Sequence, residues 1–352
     1  MIPGPVNFDP GVLRAMGMPT LGHTSSEFIS IFGETLERVR QVFGAPTGLP
    51  FVIAGSGTFA MECAVANLVE YGDAALVIST GYFSERIVQM CERYGGEVIA
   101  MRAPVGDIVS LDAIEEQLER VRPKVVTVTH VDTSTGVVMD VKSVAALGKR
   151  YGALVIVDGV CSVGGIGLEQ DLWGIDVALT GSQKAMGVPP GLGILVASPR
   201  AVESFHARKR PTVSFYADWA NWIPVMEAYL ARKASYFATP AVNLIYALNE
   251  SLRQVLAEGM EARIARHSRL SAAFKAGIKA LGLDQVPLRS EIAATTMTAP
   301  YFPEGIDTKL VSKIRERGVA VAGGLHPAIR ERYFRVGHMG VVTYADIFAT
   351  LS

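Results

Sequence analysis

Two side chains with chemistry of their own follow neighbouring apolar segments near the middle of the chain. Asp158 ends the run of residues 154–157, and Lys184 follows the run of residues 176–180. Short β-branched runs of this kind are typical of buried strands in a parallel sheet. Ligands of open α/β sheets bind at the carboxyl ends of the strands. The pattern therefore predicts a carboxylate and an amine in one crevice.

An aspartate and a lysine in this arrangement have two interpretations. One is a structural ion pair at the ends of two strands, a common reason for such residues to lie together. The other is a site for pyridoxal 5′-phosphate (PLP), in which the lysine forms a Schiff base with the cofactor aldehyde and the aspartate keeps the pyridine nitrogen protonated. The second interpretation also requires a phosphate cradle, an aromatic side chain and a site for a substrate carboxylate.

The loop after the first predicted strand has the composition of an anion site. The strand at residues 51–54 runs into Gly55-Ser56-Gly57-Thr58, and a helix is predicted over residues 59–69. A helix N-terminus directs free N–H groups at an anion, and glycines allow close approach of the backbone. A tight turn capped by Ser56 and Thr58 is the alternative. The spacing matches neither a P-loop nor the GxGxxG of a dinucleotide site.

Two further loops follow predicted strands. Tyr82 and Phe83 come after the second strand, and the polar loop 130–136 comes after the fourth. Such aromatic side chains stack on a planar ring or pack in the core, and we expect core packing for one of the two. Because the carboxyl ends of parallel strands meet at one edge of a sheet, these loops are predicted to converge on Asp158 and Lys184.

One arginine, Arg335, lies in an otherwise apolar run at residues 333–340. A buried arginine requires a partner for its charge. Either a ligand carboxylate held by two parallel hydrogen bonds or an internal aspartate or glutamate would serve.

Strands alternate with helices from residue 50 to about residue 197, which predicts an α/β fold with a mainly parallel sheet flanked by helices. The last hundred residues mix short strands and helices and predict a smaller C-terminal α/β domain. The predicted division is an N-terminal arm at 1–20, a large domain at 21–256 and a small domain at 257–352.

Some segments give weaker patterns. Residues 1–20 are rich in proline and glycine and predict an extended arm without a regular element. Residues 199–241 show little periodicity, and we interpret them either as a surface that covers a subunit contact or as a long loop. Residues 242–281 predict long helical structure, and residues 319–321 predict a strand.

Composition excludes several classes of protein. The chain has 352 residues, 49% hydrophobic and 19% charged, with a net charge of −1, so neither nucleic acid nor an anionic membrane surface is an expected partner. No membrane span, signal peptide or metal site is predicted. The three cysteines, Cys63, Cys91 and Cys161, favour reduced thiols in a cytoplasmic protein.

Together these motifs resemble the alanine–glyoxylate and serine–glyoxylate aminotransferases, class V of the fold type I PLP enzymes. The resemblance covers nearly the whole chain. It rests on the Gly-Pro-containing N-terminal arm, Gly55-Ser56-Gly57-Thr58, Thr133-Ser134-Thr135-Gly136, the strand that ends at Asp158, Gly181-Ser182-Gln183-Lys184 with Pro189-Pro190-Gly191, and the stretch from Arg335 to Gly340.

The resemblance implies a role for each site residue. Lys184 is implied to be the Schiff-base lysine, which carries the proton between the substrate Cα and the cofactor C4′, and Arg335 to hold the substrate α-carboxylate. Tyr236 and Thr239 are implied to reach the phosphate of the neighbouring subunit, which would make the protein a homodimer with shared sites. The remaining cofactor contacts are implied for Asp158 at the pyridine nitrogen, Ser56, Gly57, Thr58 and Gln183 at the phosphate, Thr133 at the ring hydroxyl, Val160 under the ring and Phe83 over it.

The implied activity is transamination of the EC 2.6.1 class. A small amino acid, alanine or serine, gives its amino group to a small 2-oxo acid, glyoxylate or pyruvate, by a ping-pong reaction through pyridoxamine phosphate. The sequence does not distinguish the donors or the acceptors, since they differ by one or two contacts. A transaminase for donors with a second carboxylate is an alternative. It would need a second cationic side chain, and none is clearly placed for it, although Arg208, Lys209, Arg210 and Arg330 are candidates.

Two departures and two alternatives accompany this resemblance. Phe83 stands where the family commonly has tryptophan, and Thr58 stands where many relatives have histidine. A related lyase or cysteine desulfurase is disfavoured because no cysteine follows Cys161. A non-catalytic PLP-binding protein is disfavoured because both Lys184 and Asp158 are present.

Overall fold

A computed structural model describes all 352 residues of the chain. The helices are α1 (Pro10–Met16), α2 (Ser26–Phe43), α3 (Gly57–Leu68), α4 (Tyr82–Arg93), α5 (Leu111–Val121), α6 (Val141–Arg150), α7 (Gln170–Trp173), α8 (Pro199–His206), α9 (Trp219–Leu230), α10 (Val242–Glu258), α11 (Met260–Ala280), α12 (Lys309–Glu316) and α13 (Tyr344–Leu351). The strands are β1 (Leu49–Ala54), β2 (Ala74–Ser79), β3 (Glu97–Arg102), β4 (Val125–Thr129), β5 (Val131–Asp132), β6 (Val137–Val138), β7 (Leu154–Asp158), β8 (Val177–Gly181), β9 (Leu192–Ala197), β10 (Met297–Thr298), β11 (Ala322–Gly323) and β12 (Phe334–Gly337).

The larger sheet has seven strands in the order β1-β9-β8-β7-β4-β2-β3. The strands β3, β2, β4, β7 and β8 are parallel, and β9 runs antiparallel to both of its neighbours, β8 and the edge strand β1. Every residue of β4, β7 and β8 is buried, as expected for central strands covered on both faces. The α/β fold with a mainly parallel sheet is confirmed.

Three groups of buried apolar side chains hold the chain together. The largest, with 72 residues, comes from residues 12–255 and surrounds the seven-stranded sheet. A group of eight comes from residues 270–347 and lies under the antiparallel sheet β10-β12-β11. A third group of 11 joins parts of the chain that are distant in sequence, including Val6, Val131 and Tyr333. This third group lies where the N-terminal segment, the large sheet and the C-terminal sheet meet.

The prediction of an arm without regular structure at residues 1–20 is wrong for α1. Asp9 accepts a hydrogen bond from the N–H of Gly11 at 2.6 Å, and Pro10 occupies the first turn. A proline there initiates a helix, because its fixed φ suits the first turn and no N–H is needed. The residues before α1 are anchored at both ends of their run. The N–H of Val6 donates to the Gln183 carbonyl at 3.0 Å, and Met1 accepts from Gly337 at 2.8 Å.

The segment at residues 199–241 contains two helices, α8 and α9, that its weak periodicity did not predict. α9 is apolar on most of its surface and has Pro224 inside it, so no polar face reveals the helical repeat. Its Trp219, Trp222 and Tyr229 are buried in the main core.

The strand predicted at residues 319–321 is also wrong, because β11 begins only at Ala322. The long helical segment predicted at 242–281 is confirmed, but Gly259 divides it into α10 and α11 with a φ of 84°, which a helix cannot continue through. Across the whole chain, no helix combines the length and the apolar character required to cross a membrane.

Candidate active site

The predicted site residues converge at one edge of the seven-stranded sheet. Most belong to the loops that follow β1, β2, β4, β7 and β8, and Arg335 comes from β12 of the smaller sheet. Ten of the twelve line one cavity of about 270 Å³, namely Ser56, Gly57, Thr58, Phe83, Thr133, Asp158, Val160, Gln183, Lys184 and Arg335. The sheet topology brings them together because the carboxyl ends of its parallel strands share one edge.

The other two predicted residues, Tyr236 and Thr239, do not line this cavity. Both are exposed, and the side chain of Tyr236 remains 62% accessible beside the ring of His23. Within one chain they therefore make no contribution to the site.

Asp158 is the last residue of β7 and is only 2% exposed. Its Oδ1 accepts the N–H of Val160 at 2.9 Å, and Thr129 donates to Oδ2 at 3.4 Å. Burial raises the pKa of Asp158 to about 7, because the charged form loses its hydration. At neutral pH the carboxyl group is therefore only partly ionised, and a positively charged partner would favour its charged form.

Lys184 is 6% exposed, and its Nζ donates to the hydroxyl oxygen of Thr133 at 3.2 Å. It forms no ion pair, so a structural ion pair with Asp158 is not the explanation for the two residues. Burial lowers the pKa of Lys184, and the positive charge of Arg335 acts in the same direction. The amine is therefore readier to lose its proton than a lysine in water.

Arg335 also lacks an acidic partner. Its Nε donates to the carbonyl of Gly323 at 2.8 Å, and its Nη1 donates to the carbonyl of Thr133 at 3.2 Å. The alternative of an internal aspartate or glutamate is therefore wrong. Two neutral carbonyls fix the plane of the guanidinium and leave its charge and its Nη2 group for an anion in the cavity.

The loop between β1 and α3 combines a helix cap with an open helix N-terminus. The hydroxyl of Ser56 accepts the N–H of Phe59 at 3.3 Å, so the cap interpretation of this serine is right. The first N–H groups of α3, those of Gly57 and Thr58, have no acceptor within the helix. A Cβ on Gly57 would lie 2.7 Å from Val160, so only glycine allows the helix to begin this close to the cavity.

Two residues of the N-terminal segment line the cavity although the sequence analysis predicted neither as a site residue. They are Pro3 and Gly4. A Cβ on Gly4 would lie 2.7 Å from Cδ of Lys184, so the backbone of this segment passes directly beside the lysine. Nothing in the local sequence indicates this contact, since it depends on chain segments 180 residues apart.

Asp132 is a third residue that sequence reasoning missed. It is fully buried, and its two oxygens accept five hydrogen bonds, which come from Phe83 N, Ser84 N, Ser84 Oγ, Ser134 N and Ser134 Oγ at 2.6–3.2 Å. Asp132 thereby fixes the start of α4, which carries Phe83, against the turn that carries Thr133. The available signal was an acid in an otherwise uncharged loop after a strand.

The groups that line the cavity fit pyridoxal phosphate. Helix N–H groups and hydroxyls at Ser56–Thr58 suit a phosphate, and Asp158 suits a protonated ring nitrogen. The Lys184 amine suits an aldehyde, while Phe83 and Val160 provide apolar surface for a flat ring.

Comparisons with known proteins agree with this site. The family described as "Aminotransferase class-V" matches residues 13–343. Alanine–glyoxylate aminotransferase 1 of Saccharomyces cerevisiae is 38% identical over 97% of this chain and 91% of its own length. Serine–glyoxylate aminotransferase of Arabidopsis thaliana is 33% identical over 100% of this chain and 88% of its own.

A solved structure gives the same result at the level of the fold. The crystal structure of alanine–glyoxylate aminotransferase from Nostoc sp. has a TM-score of 0.94 and 32% identity, and the match covers 100% of this chain and 93% of that one. The family match over most of the chain, the relatives above 30% identity and the cavity agree with one another. The chain therefore belongs to the class-V aminotransferases, enzymes of the EC 2.6.1 class whose cofactor is pyridoxal phosphate.

Proposed function

We propose that this aminotransferase moves the amino group of a small amino acid, alanine or serine, to a small 2-oxo acid, glyoxylate or pyruvate. The observation that carries the proposal is the presence of Lys184, Asp158 and Arg335 in one cavity of about 270 Å³. So small a cavity suits small substrates beside the cofactor. The names of the relatives from yeast, Arabidopsis and Nostoc support the same substrates.

The proposed cofactor ligands follow the geometry of the cavity. Ser56, Gly57, Thr58 and Gln183 hold the phosphate, Thr133 contacts the ring hydroxyl, and Phe83 and Val160 cover the faces of the ring. Pyridoxal phosphate supplies an aldehyde that joins amino groups and a ring that accepts the electron pair left at Cα when a proton leaves. The carboxylate of Asp158 stabilises a proton on the ring nitrogen, and this positive partner in turn favours the charged form of the carboxylate.

Lys184 is the proposed proton carrier. Its buried Nζ has a lowered pKa, so a larger fraction of the amine is neutral, and able to accept a proton from the substrate Cα, than in an exposed lysine at the same pH. The hydrogen bond to Thr133 keeps Nζ at the side of the cavity near Arg335. One group then serves both half-reactions, since removal of a proton from one substrate and its return to another are reverse steps.

Arg335 is proposed to bind the α-carboxylate that donor and acceptor have in common. Its fixed plane presents N–H groups in the geometry that suits a carboxylate. Because both substrates use the same arginine in turn, the reaction is ping-pong. Pro3 and Gly4 line the cavity on the side of Lys184.

We also propose a homodimer with shared sites, in which Tyr236 and Thr239 of each chain reach the phosphate in the other. Their exposure supports this, as does the presence nearby of exposed Phe215, since aromatic side chains are enriched at subunit contacts. We propose the division into residues 1–20, 21–256 and 257–352 as well. The separate apolar cores of residues 12–255 and 270–347 support that boundary.

A cytoplasmic location is proposed from the cysteines. All three are free thiols in buried positions, and burial raises the pKa of Cys63 and Cys91 to about 12. Such thiols are inert and suit a reducing compartment.

The visible absorption spectrum tests the proposed reaction. A yellow band should collapse when L-alanine or L-serine is added and return when glyoxylate or pyruvate follows. L-aspartate, which carries a second carboxylate, serves as the comparison donor. A band that changes only with L-aspartate would overturn the choice of small donors. A protein that cannot be made yellow with pyridoxal phosphate would overturn the cofactor site.

Mixed dimers test the shared site. Lys184→Ala chains are unfolded and refolded together with Tyr236→Phe/Thr239→Ala chains. If the sites are shared, each hybrid dimer has one site with all wild-type residues. Half of randomly paired dimers are hybrids, so about a quarter of wild-type activity should return. No recovery above the sum of the two parents would mean that each site is built from one chain.

A further inference from the structure

The guanidinium of Arg86 lies behind the cavity and contacts two of its lining residues from outside. Arg86 is on α4, one turn after Phe83. Its Nη1 donates to Thr58 Oγ1 at 2.9 Å, and its Cζ lies 5.0 Å from the centroid of the Phe83 ring. It is absent from the lining of the cavity, so its effect on a ligand passes through other residues.

The charge of Arg86 has no counter-charge in the protein. The side chain is partly buried, yet it takes part in none of the ion pairs of the structure. The adjacent acid, Glu85, accepts hydrogen bonds from Nε and Nη2 of Arg102, each at 3.0 Å. The aromatic rings of Tyr82 and Phe83, at 4.9 and 5.0 Å, hold the guanidinium instead. Because the guanidinium of Arg86 has no acidic partner in the protein, it is suited to interact with an anionic group of a ligand.

The hydrogen bond to Thr58 determines what that hydroxyl can do. An arginine can only donate, so Thr58 Oγ1 is the acceptor and its own hydrogen must point elsewhere. No protein acceptor takes that hydrogen. Thr58 also lies at the start of α3, where the free N–H groups suit a phosphate.

We propose that Arg86 is a positioning residue for the cofactor phosphate: it directs the Thr58 hydroxyl into the cavity as a donor and adds a positive charge behind it. The rings of Tyr82 and Phe83 hold the guanidinium of Arg86 in position. The inference depends on the proposed function, because it takes Thr58 to be a phosphate ligand.

Cofactor binding separates this role from a general structural one. The dissociation constants of pyridoxal phosphate and of pyridoxal, which lacks the phosphate, are measured by absorbance titration of the full-length protein after cofactor removal. In Arg86→Met the constant for pyridoxal phosphate should rise about tenfold or more, the loss expected for a charge-assisted hydrogen bond. The constant for pyridoxal should change less than about twofold. The matched control is Arg93→Met, an exposed arginine two turns along the same helix, which should bind both as the wild type does.

The route through Thr58 is tested by a double-substitution cycle. Thr58→Ala alone should weaken binding of pyridoxal phosphate selectively, and adding Arg86→Met to it should cost less than Arg86→Met costs in the wild type, because only the contribution of the charge remains to be lost. Fully additive losses would overturn the route, and so would equal losses for pyridoxal and pyridoxal phosphate in Arg86→Met. The melting temperature of cofactor-free Arg86→Met shows whether this variant folds poorly. If it does, the Thr58→Ala result still tests whether the Thr58 hydroxyl is required for selective binding of pyridoxal phosphate.

Failure of the inference is distinguishable from failure of the proposed function. If the wild type does not bind pyridoxal phosphate, the proposed cofactor ligands are wrong. If the wild type binds it and Arg86→Met binds it equally well, only the role of Arg86 is wrong.

Discussion

Lys184 and Arg335 both donate hydrogen bonds to Thr133, one to its side chain and the other to its backbone. The Nζ of Lys184 donates to the Thr133 hydroxyl at 3.2 Å, and Nη1 of Arg335 donates to the Thr133 carbonyl at 3.2 Å. Thr133 therefore sets the spacing between the amine that moves a proton and the guanidinium that binds a carboxylate. The proximity also contributes to the lowered pKa of Lys184, in addition to burial.

Replacement of Lys184 by alanine should remove the proton carrier. We expect kcat to fall by at least about 10²–10⁴-fold, the contribution typical of a positioned acid or base. After treatment with borohydride, mass spectrometry should find cofactor attached to the wild type and none attached to the variant. The control is Lys313→Ala, an exposed lysine on α12 that should behave as the wild type. Retention of turnover by Lys184→Ala would falsify the catalytic assignment.

Asp158 gives the stability of the cofactor-free protein a defined pH dependence. Burial raises its pKa from 3.8 to about 7, so between these values the folded protein holds more protons than the unfolded chain. This group therefore lowers the free energy of unfolding as pH rises through that window, by at most about 1.4 kcal/mol per pH unit. Asp158→Asn should lack this loss and gain stability relative to the wild type from pH 4 to about pH 7.

The measurement is urea unfolding of both cofactor-free proteins at several pH values. The difference between them is the useful quantity, because the depressed pKa values of buried His130 (about 4) and His338 (about 3) act in the opposite direction in both proteins. A pH-independent difference would mean that Asp158 is ionised throughout. In the loaded enzyme Asp158→Asn should lower kcat about 10²-fold, as expected for loss of an electrostatic stabiliser.

Arg335→Lys keeps the charge at the carboxylate site and loses its geometry. A lysine cannot donate to the carbonyls of Gly323 and Thr133 and also bind a carboxylate with two parallel bonds. We expect KM for both donor and acceptor to rise about 10–100-fold, since hydrogen bonds between charged groups contribute about 1.5–3 kcal/mol. Arg330→Ala, at an exposed arginine, is the control. An effect on only one of the two substrates would contradict a shared carboxylate site.

Asp132→Asn should destabilise the protein, although aspartate and asparagine side chains have nearly the same shape. Both oxygens of Asp132 face donors, and the amide nitrogen of asparagine would face N–H or O–H groups on one side. The expected loss is about 1–3 kcal/mol in the free energy of unfolding, from buried donors left without an acceptor. Chemical denaturation measures it. Asp140→Asn, at the exposed N-cap of α6, provides a comparison and should cost less. A loss in Asp132→Asn no larger than in Asp140→Asn would show that the five bonds are not required.

The sequence by itself determined the sheet and most of the site. The loops that carry Ser56–Thr58, Thr133 and Lys184 all follow buried apolar strands, and the carboxyl ends of parallel strands share one edge. Local patterns were therefore enough to predict that Ser56–Thr58, Thr133, Asp158 and Lys184 would meet in one cavity. The same reasoning could not predict α9, whose surface is apolar on most sides and interrupted by Pro224.

Only the tertiary structure decided the contacts between distant segments. Three such contacts join residues from separate elements. They are Gly4 with Lys184, Arg335 with the carbonyl of Thr133, and Arg86 with the hydroxyl of Thr58. Their formation depends on how helices and the C-terminal sheet pack against the large sheet, and no periodicity along the chain records that packing. Hydrogen bonds and burial at these contacts set the pKa values and the orientations of the reacting groups, because they follow from the full three-dimensional surroundings of each side chain.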